Sequence, residues 1–184
     1  MTRIFTTLAL TDALALIVTF ALGCWSKFGG GVRHESTSLY LLHFNFGVFT
    51  AIGTLAVHCL IFTYFLGTGR WVREVTLAYQ LPDKPLYHRT RELKRLAFPI
   101  ALSAMLLTIV ASAAGAGAAL QGWNWIIHFL LGMATLVVNL VVFRMEYLYV
   151  AENGTIIEKV LVEVDRVRAE RGLPTNAEAL AQDA

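Results

Sequence analysis

Charge is what this sequence has least of. Only 15% of its 184 residues are Asp, Glu, Lys or Arg, against about 25% in an ordinary soluble domain. So few charges cannot coat a water-exposed surface. Cysteine is nearly absent too. Two cysteines, Cys24 and Cys59, make no disulfide framework. In successive spans they are expected toward opposite membrane faces, where no disulfide can join them, so they read as small packing residues. Recognisable soluble chemistry is also missing. The chain has no P-loop, no CxxC, no HExxH and no GxSxG. "GTGR" (67–70) is too short to cradle a nucleotide. Nucleic acid is not an expected partner.

What is there is apolar. Hydrophobic residues make up 57% of the chain, and the mean hydropathy is +0.60. They gather in four runs, 4–24, 39–66, 96–120 and 123–150. Each approaches or exceeds the roughly 20 residues a helix needs to cross a bilayer core. The expected fold is all-α: an integral membrane four-helix bundle over 1–150, with the lipid bilayer as its surroundings. The first run reads as a retained helix rather than a signal peptide, because Asp12 interrupts it.

Charge placement orients the bundle. The connection 67–95 holds "GRWVREV", "DKP" and "HRTRELKR" and is the most basic stretch. The positive-inside rule assigns it to the cytoplasm, and both termini with it. The expected location is the inner (cytoplasmic) membrane of a bacterium. Trp25, Trp123 and Trp125 then mark the outer interface. The second and fourth helices are expected to extend into the cytoplasm, with "LPDKP" breaking the former. Over 155–171, Ile157, Val160, Val164 and Val167 recur at three-four spacing. That amphipathic helix, within a cytoplasmic region 151–184, needs a covering surface. Its own connecting loop or another membrane subunit would serve. The small residues of "ASAAGAGAA" (111–119) offer a second close-packing face.

One pattern occurs twice. "LLHFNFGVFT" (41–50) and "IIHFLLGMAT" (126–135) share His, Phe, Gly and Thr at an offset of 85 positions. Leu55, Tyr64 and Gly69 meet Leu140, Tyr149 and Gly154 at the same offset, while the preceding helices are less alike. This suggests a tandem two-helix repeat in parallel orientation. A helix turns about 100° per residue. His43, Gly47, Thr50, Thr54 and His58 therefore share one face. His128, Gly132, Thr135, Asn139 and Glu146 share another. In lipid, such polar and small-residue stripes face the bundle interior.

A histidine on each of two facing helices can supply both axial ligands of a haem iron. Gly47 and Gly132, one turn further on, clear room for a flat ring. Thr50 and Thr135 continue the same walls. By these residues the chain resembles membrane-embedded b-type cytochromes. The resemblance implies haem b between His43 and His128, and electron transfer as a subunit of a larger redox complex. Cytochromes of that class with two haems carry a second histidine pair. Here His58 has Phe143 as its repeat mate, so one haem is expected. Without a cofactor, the two histidines would serve helix packing in a structural or assembly subunit. A chlorophyll-type pigment would need only one of them.

Asp12, His58 and Glu146 are ionisable groups within the apolar runs. They form a candidate proton or quinone site, and a weaker candidate for an ion pathway. An Asp12–His58 contact is the expected pairing, with Arg144 as a second partner for Asp12. His34 and His88 lie in connections and read as solvated.

Overall fold

The computed structural model describes residues 1–28 and 38–182. His34 and the rest of the connection 29–37 lie outside the described residues. All regular structure among them is helical: α1 (Thr2–Phe28), α2 (Ser38–Ala78), α3 (Leu86–Leu120), α4 (Trp125–Glu170) and α5 (Asn176–Gln182). The first four are long and apolar enough to cross a membrane.

The connections follow from local chemistry. At the end of α2, Gln80 adopts a left-handed φ of 55°, and the Leu81 amide reaches back to the Thr76 carbonyl at 2.9 Å. The same closure ends α3, through Gly122 and the Trp123 amide on Gly117. It ends α4 through Gly172 and the Leu173 amide on Arg168. Such closures satisfy carbonyls that the last helical turn leaves open. Asn124 caps α4 by accepting from the Ile126 amide at 3.0 Å.

The helices are longer than the apolar runs. The segment 67–95 is mostly helical, because α2 continues to residue 78 and α3 begins at 86. Amphipathic segment 155–171 is no separate helix; α4 runs into it unbroken. Ile156, Val160 and Val164 are buried in one cluster with Val72, Leu81, Leu86 and Leu93. Arg168 reaches Tyr79 just past the end of α2, and Arg89 on α3 pairs with Glu152 on α4 at 2.6 Å. The chain's own helical extensions thus cover that apolar face.

α1 and α3 each pack against both α2 and α4, which meet each other across the bundle. The buried positions repeat. Phe5, Ala9, Asp12 and Leu16 on α1 correspond to Ala97, Ala101, Ala104 and Thr108 on α3, each 92 positions on. Thr50, Thr54, Val57, His58, Ile61 and Phe65 on α2 correspond to Thr135, Asn139, Val142, Phe143, Glu146 and Val150 on α4, each 85 on. The two offsets differ by seven residues, about two helical turns. A single offset of 85 therefore leaves α1 and α3 out of register, which is why they look unrelated in sequence. Outward positions carry large apolar side chains, among them Leu14, Phe49, Leu106 and Val141.

Candidate functional site

His43 and His128 lie near the N-terminal ends of α2 and α4, at the Trp125 end of the bundle. Their ring centres are 6.1 Å apart. Each ring is held in the same way by the helix that precedes it. His43 Nδ1 is 3.0 Å from the Thr19 carbonyl, and His128 Nδ1 is 3.0 Å from the Ala111 carbonyl. A carbonyl only accepts, so each Nδ1 carries the hydrogen. Nε2 of each neutral ring is then an acceptor, and neither has a partner among the described residues.

The seat of each ring is a glycine. A Cβ at Gly23 would stand 2.8 Å from His43 Cε1, and one at Gly115 would stand 2.7 Å from His128 Cε1. Only glycine lets the imidazole lie on the helix backbone there. These two glycines lie 92 positions apart, as do Thr19 and Ala111. Sequence reasoning gave neither glycine this role; Gly115 stood there only within the small-residue packing face 111–119. The signal was present in "ALGC" and "AAGA", hidden by the wrong offset.

The histidines line a cavity of about 780 Å³ bounded by all four helices. That volume suits a cofactor pocket, typically about 300–1,000 Å³. Gly47 and Gly132 also line it, and they differ from the two seat glycines. A Cβ at Gly47 would meet only Thr19 Cγ2 at 3.5 Å; one at Gly132 would meet only Phe20 Cδ2 at 3.9 Å. Both open onto free space. Thr50 shares a hydrogen bond of 3.0 Å with Thr19. Thr135 Oγ1 is buried without a partner among the described residues. At the rim, Lys27 Nζ lies over the Trp125 ring, 4.4 Å from its centre. Phe28 and Phe129 pack edge-on against the same indole at 5.8 and 6.2 Å.

The second group of expected residues is arranged differently from the sequence reading. Asp12 does not contact His58. Its Oδ2 accepts from Thr54 Oγ1 at 2.7 Å, one helical turn short of His58, and it rests against Gly53. Arg144 does not reach Asp12 either. It is exposed and lies over the Tyr147 ring, 5.7 Å away. The partner of His58 is Glu146: Nδ1 lies 2.8 Å from Oε1, with both side chains fully buried. Nε2 lies 2.8 Å from Asn139 Oδ1. Phe143, the repeat mate of His58, stacks on its ring at 5.1 Å. The reason for the mispairing is geometric. Depth counted along separate helices is uncertain by about one turn, and one turn is about 5.4 Å.

No third His, Cys, Asp or Glu joins either pair to form a metal-binding cluster among the described residues. No family model, curated protein or solved structure matches the chain.

Proposed function

We propose that the chain is a membrane-spanning electron-transfer subunit that holds one haem b between His43 and His128. The pair of imidazoles carries this reading. Each Nδ1–H is tied to a main-chain carbonyl, which fixes the tautomer and orients the ring; metal-bound histidines are almost always held so. Each Nε2 is left without a partner at the wall of one cavity. Two imidazoles on opposite sides of one ion place their ring centres about 6 Å apart, because metal–imidazole bonds run about 2 Å. The separation of 6.1 Å agrees.

The donor set favours a macrocycle over a bare ion. A structural metal site draws about four ligands from the protein. Here the chain offers two, with ring centres 6.1 Å apart, and an open cavity beside them. Gly47 and Gly132 leave the space a flat ring needs. Lys27 at the rim provides a cation for the ring's carboxylates. When bound, haem supplies a one-electron couple, tuned by its axial ligands and by the apolar shell. The outward leucines, valines and phenylalanines support a bilayer setting. The basic α2–α3 connection supports a cytoplasmic position for that end and for both termini. The chain shows no motif for substrate chemistry, which suits one subunit of a larger redox complex, a membrane quinone being a candidate reaction partner.

A second reading rests on the same hydrogen bonds. His43–Thr19 and His128–Ala111 tie α2 to α1 and α4 to α3, so they would also serve a cofactor-free assembly subunit. An optical spectrum separates the two. The haem reading expects a Soret band and, after dithionite, sharp α and β bands that His43→Ala or His128→Ala abolishes. A preparation expressed with ample haem that stays colourless favours the assembly subunit. A chlorophyll-type absorption that survives loss of one histidine indicates a pigment.

A further inference from the structure

Below the cavity the bundle closes over polar side chains that the histidine pair does not use. His58, Asn139, Glu146 and Asn153 are all fully buried. Asn139 donates through Nδ2 to the Thr135 carbonyl at 2.8 Å and to Thr108 Oγ1 at 3.2 Å. Its Oδ1 is thus the atom facing His58, and His58 Nε2 carries a hydrogen. The contact between His58 Nδ1 and Glu146 Oε1 holds one further proton, on the ring or on the acid. That leaves Glu146 Oε2, which is buried and has no partner. Two turns along α4, Asn153 Oδ1 is also buried without a partner. Asn153 Nδ2 donates to Tyr64 Oη at 3.0 Å and to Thr68 Oγ1 at 3.1 Å. Buried acceptors of this kind are where ordered waters lodge. Thr68 is half-buried, toward the end of the bundle with the basic connection.

We propose that Glu146 Oε2, backed by His58, is a proton-loading site filled from the cytoplasmic end, taking up one proton for each electron that enters the cavity above it. This rests on the haem reading. The electron comes from a one-electron donor, and the proton from water at the cytoplasmic end, along the hydroxyls of Thr68 and Tyr64 and water held at the free Asn153 Oδ1, the amide itself carrying no proton. The added charges cancel, which removes the cost of a lone charge in a dry bundle. The path stops at Asn139. An amide neither gains nor loses a proton near neutral pH, and both its hydrogens are engaged by Thr135 and Thr108. The arrangement is therefore a blind branch rather than a channel. The other titratable group near the pair is Asp12 on α1, within electrostatic reach of His58; Tyr64 on α2 lies beyond, its hydroxyl between Asn153 Nδ2 and the Val150 carbonyl. The buried face of α3 from Leu93 to Thr108 contributes none.

The test is a redox titration of the haem-loaded protein between about pH 5 and pH 8, the range over which histidine-linked sites act. Coupling shifts the reduction equilibrium up to tenfold per pH unit, about 59 mV for one electron. Glu146→Gln should flatten the slope, Glu146→Asp should restore it, and Asp12→Asn should keep it. A wild-type potential independent of pH, or an equal slope in Glu146→Gln, overturns the proposal. A second measurement needs no variant: the infrared difference spectrum on reduction should gain a protonated-carboxyl band if the shared proton starts on the ring, or an imidazolium band if it starts on the acid, and the absence of both overturns the proposal. Proton leakage through vesicles carrying the protein overturns the blind branch. Failure of the haem reading is distinct, since such a protein shows no Soret band to titrate.

Discussion

Two kinds of glycine line the histidine end of the bundle, and alanine should separate them. At Gly115 a Cβ would stand 2.7 Å from His128 Cε1 and 3.0 Å from Nδ1. Carbon atoms prefer about 3.5–4.0 Å, so the ring must yield by about 1 Å. It is not free to do so, because Nδ1 is held by the Ala111 carbonyl at 3.0 Å. Overpacking of this kind costs about 1–3 kcal/mol. Loss of the ring–carbonyl bond adds about 0.5–1.5 kcal/mol, and the better helix propensity of alanine returns up to about 1 kcal/mol. With the full propensity gain, a net loss of about 0.5–3.5 kcal/mol is expected from these three effects. At Gly132 the nearest atom is Phe20 Cδ2 at 3.9 Å. Only the propensity gain, up to about 1 kcal/mol, applies there. The assay is thermal unfolding of the haem-free protein in detergent, with the reduced α band of the loaded protein measured in parallel. Gly115→Ala should melt below wild type. Gly132→Ala should melt at or above wild type yet lose haem, because its methyl enters the cavity. Equal melting of the two variants would refute the claim that Gly115 is a seat for the ring.

Other substitutions probe the remaining structure. Leu93→Ala removes a fully buried side chain from the cluster joining the helical extensions, and should cost about 2–5 kcal/mol in unfolding. Asn139→Leu leaves His58 Nε2 without its acceptor, and should cost about 1–3 kcal/mol, read in the same melts. Glu92 lies before the apolar run of α3, and a hydrogen bond from Arg89 holds its carboxyl below the usual glutamate range. Its folded pKa is depressed, so its contribution is present above the usual value of about 4.3 and disappears as the pH falls through the folded value. Glu92→Gln, which leaves the Arg89–Glu152 pair in place, should remove that acid dependence from the melting curve, with little change at neutral pH because the Arg89–Glu92 pair is exposed. Reporter fusions at either terminus should respond as cytoplasmic, and a periplasmic signal from both would reverse the proposed orientation.

Some of the site was legible before any coordinates. Helical periodicity is local, so the shared face of His43, Gly47 and Thr50, and that of His128, Gly132 and Thr135, followed from spacing alone. The partner of His58 did not. Glu146 was visible on its stripe, but choosing it over Asp12 requires the relative depth and rotation of three helices. Asp12 settles one turn short because Gly53 admits its carboxyl against the α2 backbone. Arg144 was a poor candidate partner for a similar reason: its helical position directs it outward, over Tyr147.

The sequence by itself determined four apolar helices, their order, and two matched histidine–glycine–threonine faces, because hydrophobic content and residue spacing act within one helix. Tertiary structure alone decided which faces meet. It revealed the second offset of 92 positions, the seats at Gly23 and Gly115, and the carbonyls that orient both imidazoles. It also paired His58 with Glu146 and set Phe143 beside them, so that the two halves of the bundle match at one end and diverge at the other. Those features depend on how helices rotate and slide against one another. That is fixed by side-chain packing across the bundle, which no single helix records.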